Sequence, residues 1–554
     1  MVFVYATRSQ NYPQREGRIM VKKQDAYSKV LEPTQDTPID GKVMVKNHGG
    51  AYVFGLDDFA RLDRFLVLGS EGGSYYANER TLTMENAKSL ENCIKLDGER
   101  VVARIVEMSL TGRAPKQEPL LFSLAMASVK GDEKTRKAAL AAVSKVCRTA
   151  THLFAFAEYR NTLGGWNRSL RNTISKWYND KPINDVSYQM VKYRNRNGWE
   201  HRDLLRLAHV KPVDEQHGAL YQWAVGKGDG EAVELVKVFN EVQKLKANSK
   251  ADVKRACALI RKHRLPREAL PTELLNVVDV WEALLEDMPM TAMIRNLGNM
   301  TKNGLLVSGS DAVRKVVDQL GDTERLRKAR VHPISVLSAL TTYQSGASVK
   351  GDSTWTPVRR IVDALDEAFY ESFGNVTPTG KRLSLNLDVS GSMSWHTIAG
   401  VAGLTPAMAS SVMAMVTARV EKDYAVYGFG SHLMEIDISP KMRLDEVVKR
   451  TQALNFGGTD CSLPMIMAKK NKSKFDAFVV YTDNETNTLS GIHPSRALAE
   501  YRDSSGIADA ALIVVGMESN SFSIADPSDN RMLDIVGFDS AAPEIMSSFM
   551  RGDF

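Results

Sequence analysis

From about Asp57 to Phe373 apolar residues recur at intervals of three and four, with few of the alternating runs that make strands. The stretch from Leu170 is representative: Leu170, Ile174 and Trp177 share one face, while Arg168, Arg171 and Ser175 point elsewhere. A helical region of roughly 320 residues exceeds what one hydrophobic core usually holds, so stacked helix pairs are expected rather than a single bundle. No clean repeat period is visible, which leaves degenerate repeats. At Gly374 the pattern changes. Pro378, Gly380 and Lys381 make a linker, after which Leu383, Leu385 and Leu387 alternate with Ser384 and Asn386 as a strand does. A helical run to about Lys422 follows, and the segments 424–429, 475–482 and 511–516 read as buried strands between helices. Strands alternating with helices imply a doubly wound α/β parallel sheet. The expected organisation is an irregular arm over 1–45, an all-α repeat domain over 46–373 and an α/β domain over 374–554.

The 554 residues allow two to four domains, and 43% hydrophobic with 25% charged residues is the balance of a folded chain, not of a disordered tail or a rod. The best candidate for a membrane span, 401–420, is interrupted by Thr405, Pro406, Ser410, Ser411, Thr417 and Arg419. The N-terminus turns polar and basic by Arg8, too early for a secretory core. Cys93, Cys147, Cys257 and Cys461 are widely separated, with neither zinc spacing nor a disulfide framework. A cytoplasmic protein with reduced, buried thiols is expected.

The net charge of +6 conceals an uneven distribution. Residues 381–554 hold 16 Lys and Arg against 21 Asp and Glu, so the earlier part carries the positive excess. Within it, 160–211 has 11 basic and 4 acidic residues, an excess larger than that of the whole chain. Such a segment is the electrostatic footprint expected of a nucleic-acid partner.

The first strand of the acidic domain ends in Asp388-Val389-Ser390-Gly391-Ser392, which places a carboxylate and two hydroxyls where open sheets bind ligands. Thr459, in Phe456-Gly457-Gly458-Thr459-Asp460, and Asp483, closing Val479-Val480-Tyr481-Thr482, add two more hard oxygen donors. Any one such residue commonly only caps a helix or ends a strand; three pieces in order are harder to explain that way. The set resembles the metal-ion-dependent adhesion site (MIDAS) of von Willebrand factor A domains, whose pattern is Asp-x-Ser-x-Ser, then Thr, then Asp. The resemblance implies Mg²⁺ or another divalent cation held directly by Ser390, Ser392 and Thr459 and largely through water by Asp388 and Asp483, with a partner's acidic group in the open position. A haloacid-dehalogenase-type phosphotransferase would need a second acid where Ser390 stands. His396 and His432 are isolated on the sequence, and Asp460 and Glu485 are the nearest further acids, so binding is expected over turnover.

In the basic segment, a helix running through Met190 to Arg196 is expected to break at Asn197-Gly198, with a second beginning at Trp199, making a helical hairpin. Lys192 and Arg196 would share one face of the first helix; on the second, Arg202, Arg206 and His209 would lie opposite Leu204, Leu205 and Ala208. The neighbouring Trp166, Trp177, Tyr178, Tyr188, Tyr193 and Trp199 suit base stacking, although their spacing suits a core better. A dimeric helix-turn-helix DNA reader is a lesser alternative.

These residues, with Leu62-Asp63-Arg64-Phe65-Leu66, Gly69-Ser70-Glu71-Gly72-Gly73, Leu270-Pro271-Thr272-Glu273-Leu274-Leu275 and Trp355-Thr356-Pro357, resemble the bacterial-type Ro family, in which an RNA-binding TROVE domain precedes an A domain. The resemblance implies a ring of HEAT-like helical repeats closed by the A domain. It also implies structured noncoding Y RNA on a basic outer surface, single-stranded 3′ ends of misfolded RNA in the hole, a monomer, and a link to 3′ exoribonucleases in RNA quality control. The family's RNA contacts map onto Lys192 and Arg196 of the Lys-Tyr-x-x-Arg-Asn-Gly-Trp segment and onto His209 of Leu-x-His-x-Lys-Pro. Arg194, His201, Arg202, Arg206 and Lys211 are added from charge and face alone. The competing reading is a metal-dependent protein-interaction module of the kind that serves AAA+ ATPases.

Overall fold

The strand Leu383–Asp388 is buried along its whole length, as are Ala477–Thr482 and Ala511–Gly516. Runs buried on both faces are characteristic of a parallel sheet covered by helices. In the computed structural model, which describes residues 34–70, 79–196, 198–349, 352–374, 376–398, 404–454, 456–487 and 491–553, these strands lie in a six-stranded sheet. Its order is Met532–Val536, Ala511–Gly516, Ala477–Thr482, Leu383–Asp388, Tyr424–Phe429, Leu433–Glu435. All neighbours are parallel except the last, a short antiparallel edge strand that the expectation of a wholly parallel sheet did not include. A hairpin return from Tyr424–Phe429 needs no crossover helix, which is why it can be so short.

The chain divides into two compact units, one of 1–89 with 375–554 and the other of 90–374. The described part of the N-terminal segment therefore belongs with the α/β sheet, and contacts do not divide the chain at residue 46. Tyr52–Gly55 pairs antiparallel with both Met44–Lys46 and Phe522–Ser523. Arg64, on the helix Asp58–Leu68, is only 1% exposed; its guanidinium pairs with Asp534 at 2.6 Å and donates to the Phe522 carbonyl at 3.1 Å. Most of the expected arm, residues 1–33, lies outside the described residues, as do Glu71, Gly72, Gly73, Asn197 and 401–403.

The second unit is helical. Glu118–Lys130 packs on Glu133–Val146 and Ala150–Gly164, Lys250–His263 on Val278–Glu286, and Pro333–Ser345 on Arg359–Glu371. Leu170, Ile174 and Trp177 are fully buried, as their spacing requires. All four cysteines are free and buried. Among the described residues no helix is long and apolar enough to cross a membrane.

Candidate functional site

Asp388, the last residue of its strand, and Asp483, the first after the adjacent parallel strand, are both fully buried at the carboxyl end of the sheet. Asp388 accepts hydrogen bonds from the Ser390 amide (3.0 Å) and the Thr482 hydroxyl (2.7 Å). The Ser390 and Ser392 hydroxyls stand 3.1 Å apart, and Thr459, 2% exposed, is fixed by Asn487, which accepts from its amide (2.8 Å) and donates to its carbonyl (2.9 Å). Asp483 takes the Glu485 amide on Oδ1 at 2.9 Å; its Oδ2 is buried without a well-formed hydrogen bond, the nearby Ser392 hydroxyl easing its charge only in part.

Two buried carboxylates so close to one another are costly. Burial raises the pKa of Asp388, and burial with the charges of Asp388, Glu518 and Glu485 raises that of Asp483 well above the ordinary carboxylate range. A divalent cation reverses this logic by supplying the missing charge. Hard oxygens, an underused carboxylate oxygen and paired hydroxyls fit Mg²⁺. Among the described residues no group of three His, Cys, Asp or Glu side chains forms an alternative centre.

The acids and histidines around this site have structural partners. Asp460 accepts from Ser462 and from Gln35 (3.1 Å). Glu485 receives His48 Nδ1 at 2.6 Å and the Gly49 amide at 3.2 Å. His396, isolated on the sequence, stands 2.8 Å from Glu518, and His432 packs on Phe456. The sequence reading missed Gln35, Asn47, His48, Asn487 and Glu518, which brace the loops bearing the motif. Only Asn487, four residues beyond Asp483, lay close enough to the motif to be noticed.

The basic segment folds differently from the expected helical hairpin. The helix Ile183–Lys192 ends at Lys192, and Asn195–Arg196 instead pairs antiparallel with Trp199–Glu200, Gly198 taking φ +80°. Lys192 and Arg196 therefore do not share a helix face, and the second helix starts at His201. A reversal through glycine at positive φ favours a ribbon over a continued helix. Arg194, Arg196, Arg202, Arg206, His209 and Lys211 are all exposed, and Lys192 is half-buried, its ammonium 5.3 Å from the ring centres of both Tyr188 and Tyr193. His209 lies beyond the end of its helix in left-handed backbone, φ +51°. His201 is a correction. It is 4% exposed, its Nδ1 bonded to the Tyr178 hydroxyl at 2.8 Å and its ring edge-on to Phe154, so it faces the core and no ligand. Trp177 is likewise closed to stacking, its indole N–H held by the Cys147 carbonyl.

The TROVE domain model matches residues 45–263 and 260–345, and the Ro60 vWA domain model matches 382–550. The chain belongs to the Ro family. A Deinococcus radiodurans protein named RNA-binding protein RO60 is 38% identical over 92% of this chain and 96% of its own length. One of the same name from Caenorhabditis elegans is 38% identical over 93% and 90%. The crystal structure of the Deinococcus radiodurans Ro (RSR) protein aligns with 90% of this chain and 100% of its own at a TM-score of 0.67. The sheet-bearing part of the α/β unit is thus the family's vWA domain; the TROVE match takes in most of the helical unit and also residues 45–89, which pack in the α/β unit.

Proposed function

We propose that this chain binds RNA and does not cleave it. The observation that carries the reading is the exposed set Arg194, Arg196, Arg202, Arg206, His209 and Lys211 around Lys192, in a family whose relatives are named RNA-binding proteins. Cations at such density bind phosphate with little regard to sequence, so shape and strandedness would supply the selectivity. On this reading a structured Y-like noncoding RNA lies on the basic surface and competes with misfolded RNAs for it. The single-stranded 3′ ends of those RNAs enter the opening expected of the family, and a separate 3′ exoribonuclease performs any cleavage as part of cytoplasmic RNA quality control. The chain acts as a monomer. Gel-shift titration of a structured RNA tests this: Arg196→Ala with Lys192→Ala should weaken binding by about tenfold or more. Mg²⁺-dependent shortening of RNA that Asp388→Ala abolishes would overturn the non-enzymatic reading.

The vWA unit supports a second, compatible role. Ser390, Ser392 and Thr459 would hold Mg²⁺ with Asp388 and Asp483 behind them, and the bound ion would supply an electrophilic seat for an acidic group of a protein partner, an AAA+ ATPase or another. The buried Asp483 Oδ2, which lacks a well-formed hydrogen bond, favours this role.

A further inference from the structure

Three helices of the helical unit end in one and the same chain turn. His209, Arg264 and Arg330 have φ of 51°, 49° and 50°. In each case the amide of the next residue reaches back five positions: Val210 to the Leu205 carbonyl at 3.1 Å, Leu265 to Ile260 at 3.3 Å, Val331 to Leu326 at 3.2 Å. A proline follows each within two residues of that amide. This turn ordinarily takes glycine, because an L side chain is strained in left-handed backbone. A side chain retained there against strain points to a use for it.

For Arg264 the ordinary uses are already served. The helix Lys250–His263 carries Arg261, Lys262 and His263 in its last turn, so its dipole needs no fourth cation. The ion pair of Arg264 with Asp287 is long, 3.6 Å, with side chains 79% and 53% exposed, and such pairs add little. What sets Arg264 apart is a cleft of about 710 Å³ between the Ile183–Lys192 helix and the C-terminal end of its own helix. Arg264 and Lys192 both line it. Tyr188, Leu265 and Pro266 give it apolar walls. Four carboxylates, Asp185, Glu234, Glu268 and Asp287, also face it, against Lys192, His263, Arg264 and Arg267. Cations beside apolar walls suit a phosphate joined to a base, and carboxylates suit the amino groups of a base edge more than a second phosphate.

We propose that this cleft receives one unpaired nucleotide of a bound RNA, with Arg264 and Lys192 on its phosphates and the base along Tyr188 and Pro266. Arg264 is then a further RNA contact at the backbone position His209 occupies in its own turn. The inference rests on the RNA-binding reading. The test compares two RNA duplexes identical except for one unpaired nucleotide, titrated against wild type, Arg264→Gly, Asp287→Ala, Arg330→Gly and Arg196→Ala at several salt concentrations. Arg264→Gly relieves the strained backbone, so it should melt no lower than wild type. It should nonetheless bind the RNA with the unpaired nucleotide about tenfold more weakly, with a salt slope smaller by about one, and bind the fully paired RNA almost normally. Asp287→Ala should tighten binding, and Arg330→Gly, away from the cleft, should leave it unchanged. If Arg196→Ala weakens binding but Arg264→Gly does not, the cleft inference alone fails. Equal losses on both duplexes, or equal losses from Arg330→Gly, also overturn it. If wild type binds neither RNA, this inference and the RNA reading fall together.

Discussion

His201 sits within the most basic stretch of the chain, yet its ring is enclosed by Phe154 and Tyr178. Burial lowers its pKa from 6.5 to about 4, and His152, buried beside Arg148, is lowered to about 4 as well. The folded chain holds both rings neutral, whereas the unfolded chain protonates them near pH 6.5. The stability they contribute is therefore complete above pH 6.5 and is lost as pH falls from 6.5 toward 4. Each ring should cost about 2 kcal/mol of stability between pH 7 and pH 5. Urea denaturation followed by tryptophan fluorescence checks this, and His201→Gln should flatten the pH dependence. Charge and helical spacing placed Arg202 and Arg206 outward correctly; His209 is exposed too, but from the turn beyond the helix and not from the face its spacing predicted. Charge and spacing failed for His201 because a neutral imidazole packs like an aromatic residue, and no pattern of neighbouring charges reveals its protonation state.

Among elements, the segment from Thr34 to Gly55 had no legible role, since its residues have neither period nor motif. Beyond its own short hairpin, the partners that hold it are more than 400 residues away in the chain. Gln35, fully buried, donates to Asp460 and to the Ile492 carbonyl (3.0 Å) and accepts from the Thr486 hydroxyl (2.7 Å), so it ties together two loops that carry the metal motif. Gln35→Leu should lower the stability of the vWA unit by about 2 kcal/mol, because Asp460 and Thr486 would be left buried with fewer partners; a thermal melt measures it. Arg64→Ala should cost about 3 kcal/mol by stranding Asp534. Four of the six sheet strands, by contrast, were legible to within about two residues, because their apolar residues form an alternating or continuous run. Leu433–Glu435 and Met532–Val536, at the two edges of the sheet and not buried along their length, carry no such run and were missed. The ribbon 195–200 was not, since two-residue strands lack a period and the outcome turned on the backbone at Gly198.

For the molecule as a whole, order of domains and local motif agreed, and that agreement made the family legible. Metal and RNA remain separable claims about it. In EDTA, Asp483→Asn should raise the melting temperature of the vWA unit by removing a buried negative charge beside Asp388. In millimolar Mg²⁺ the order should reverse, wild type gaining stability that the variant cannot. A variant that melts below wild type in both buffers would mean that Asp483 has a purely structural role.

The central claim, that the basic face of the helical unit binds RNA through its phosphates, is tested most directly by the salt dependence of affinity. A structured RNA bearing a 3′ single-stranded tail and its blunt form would be titrated against wild type and the Lys192→Ala, Arg196→Ala double variant from 50 to 300 mM salt. The account predicts a steep linear fall of log affinity with log salt, a slope shallower by about two in the double variant, and tighter binding of the tailed RNA. Absence of binding at the lowest salt, or a slope that the double variant leaves unchanged, would contradict it.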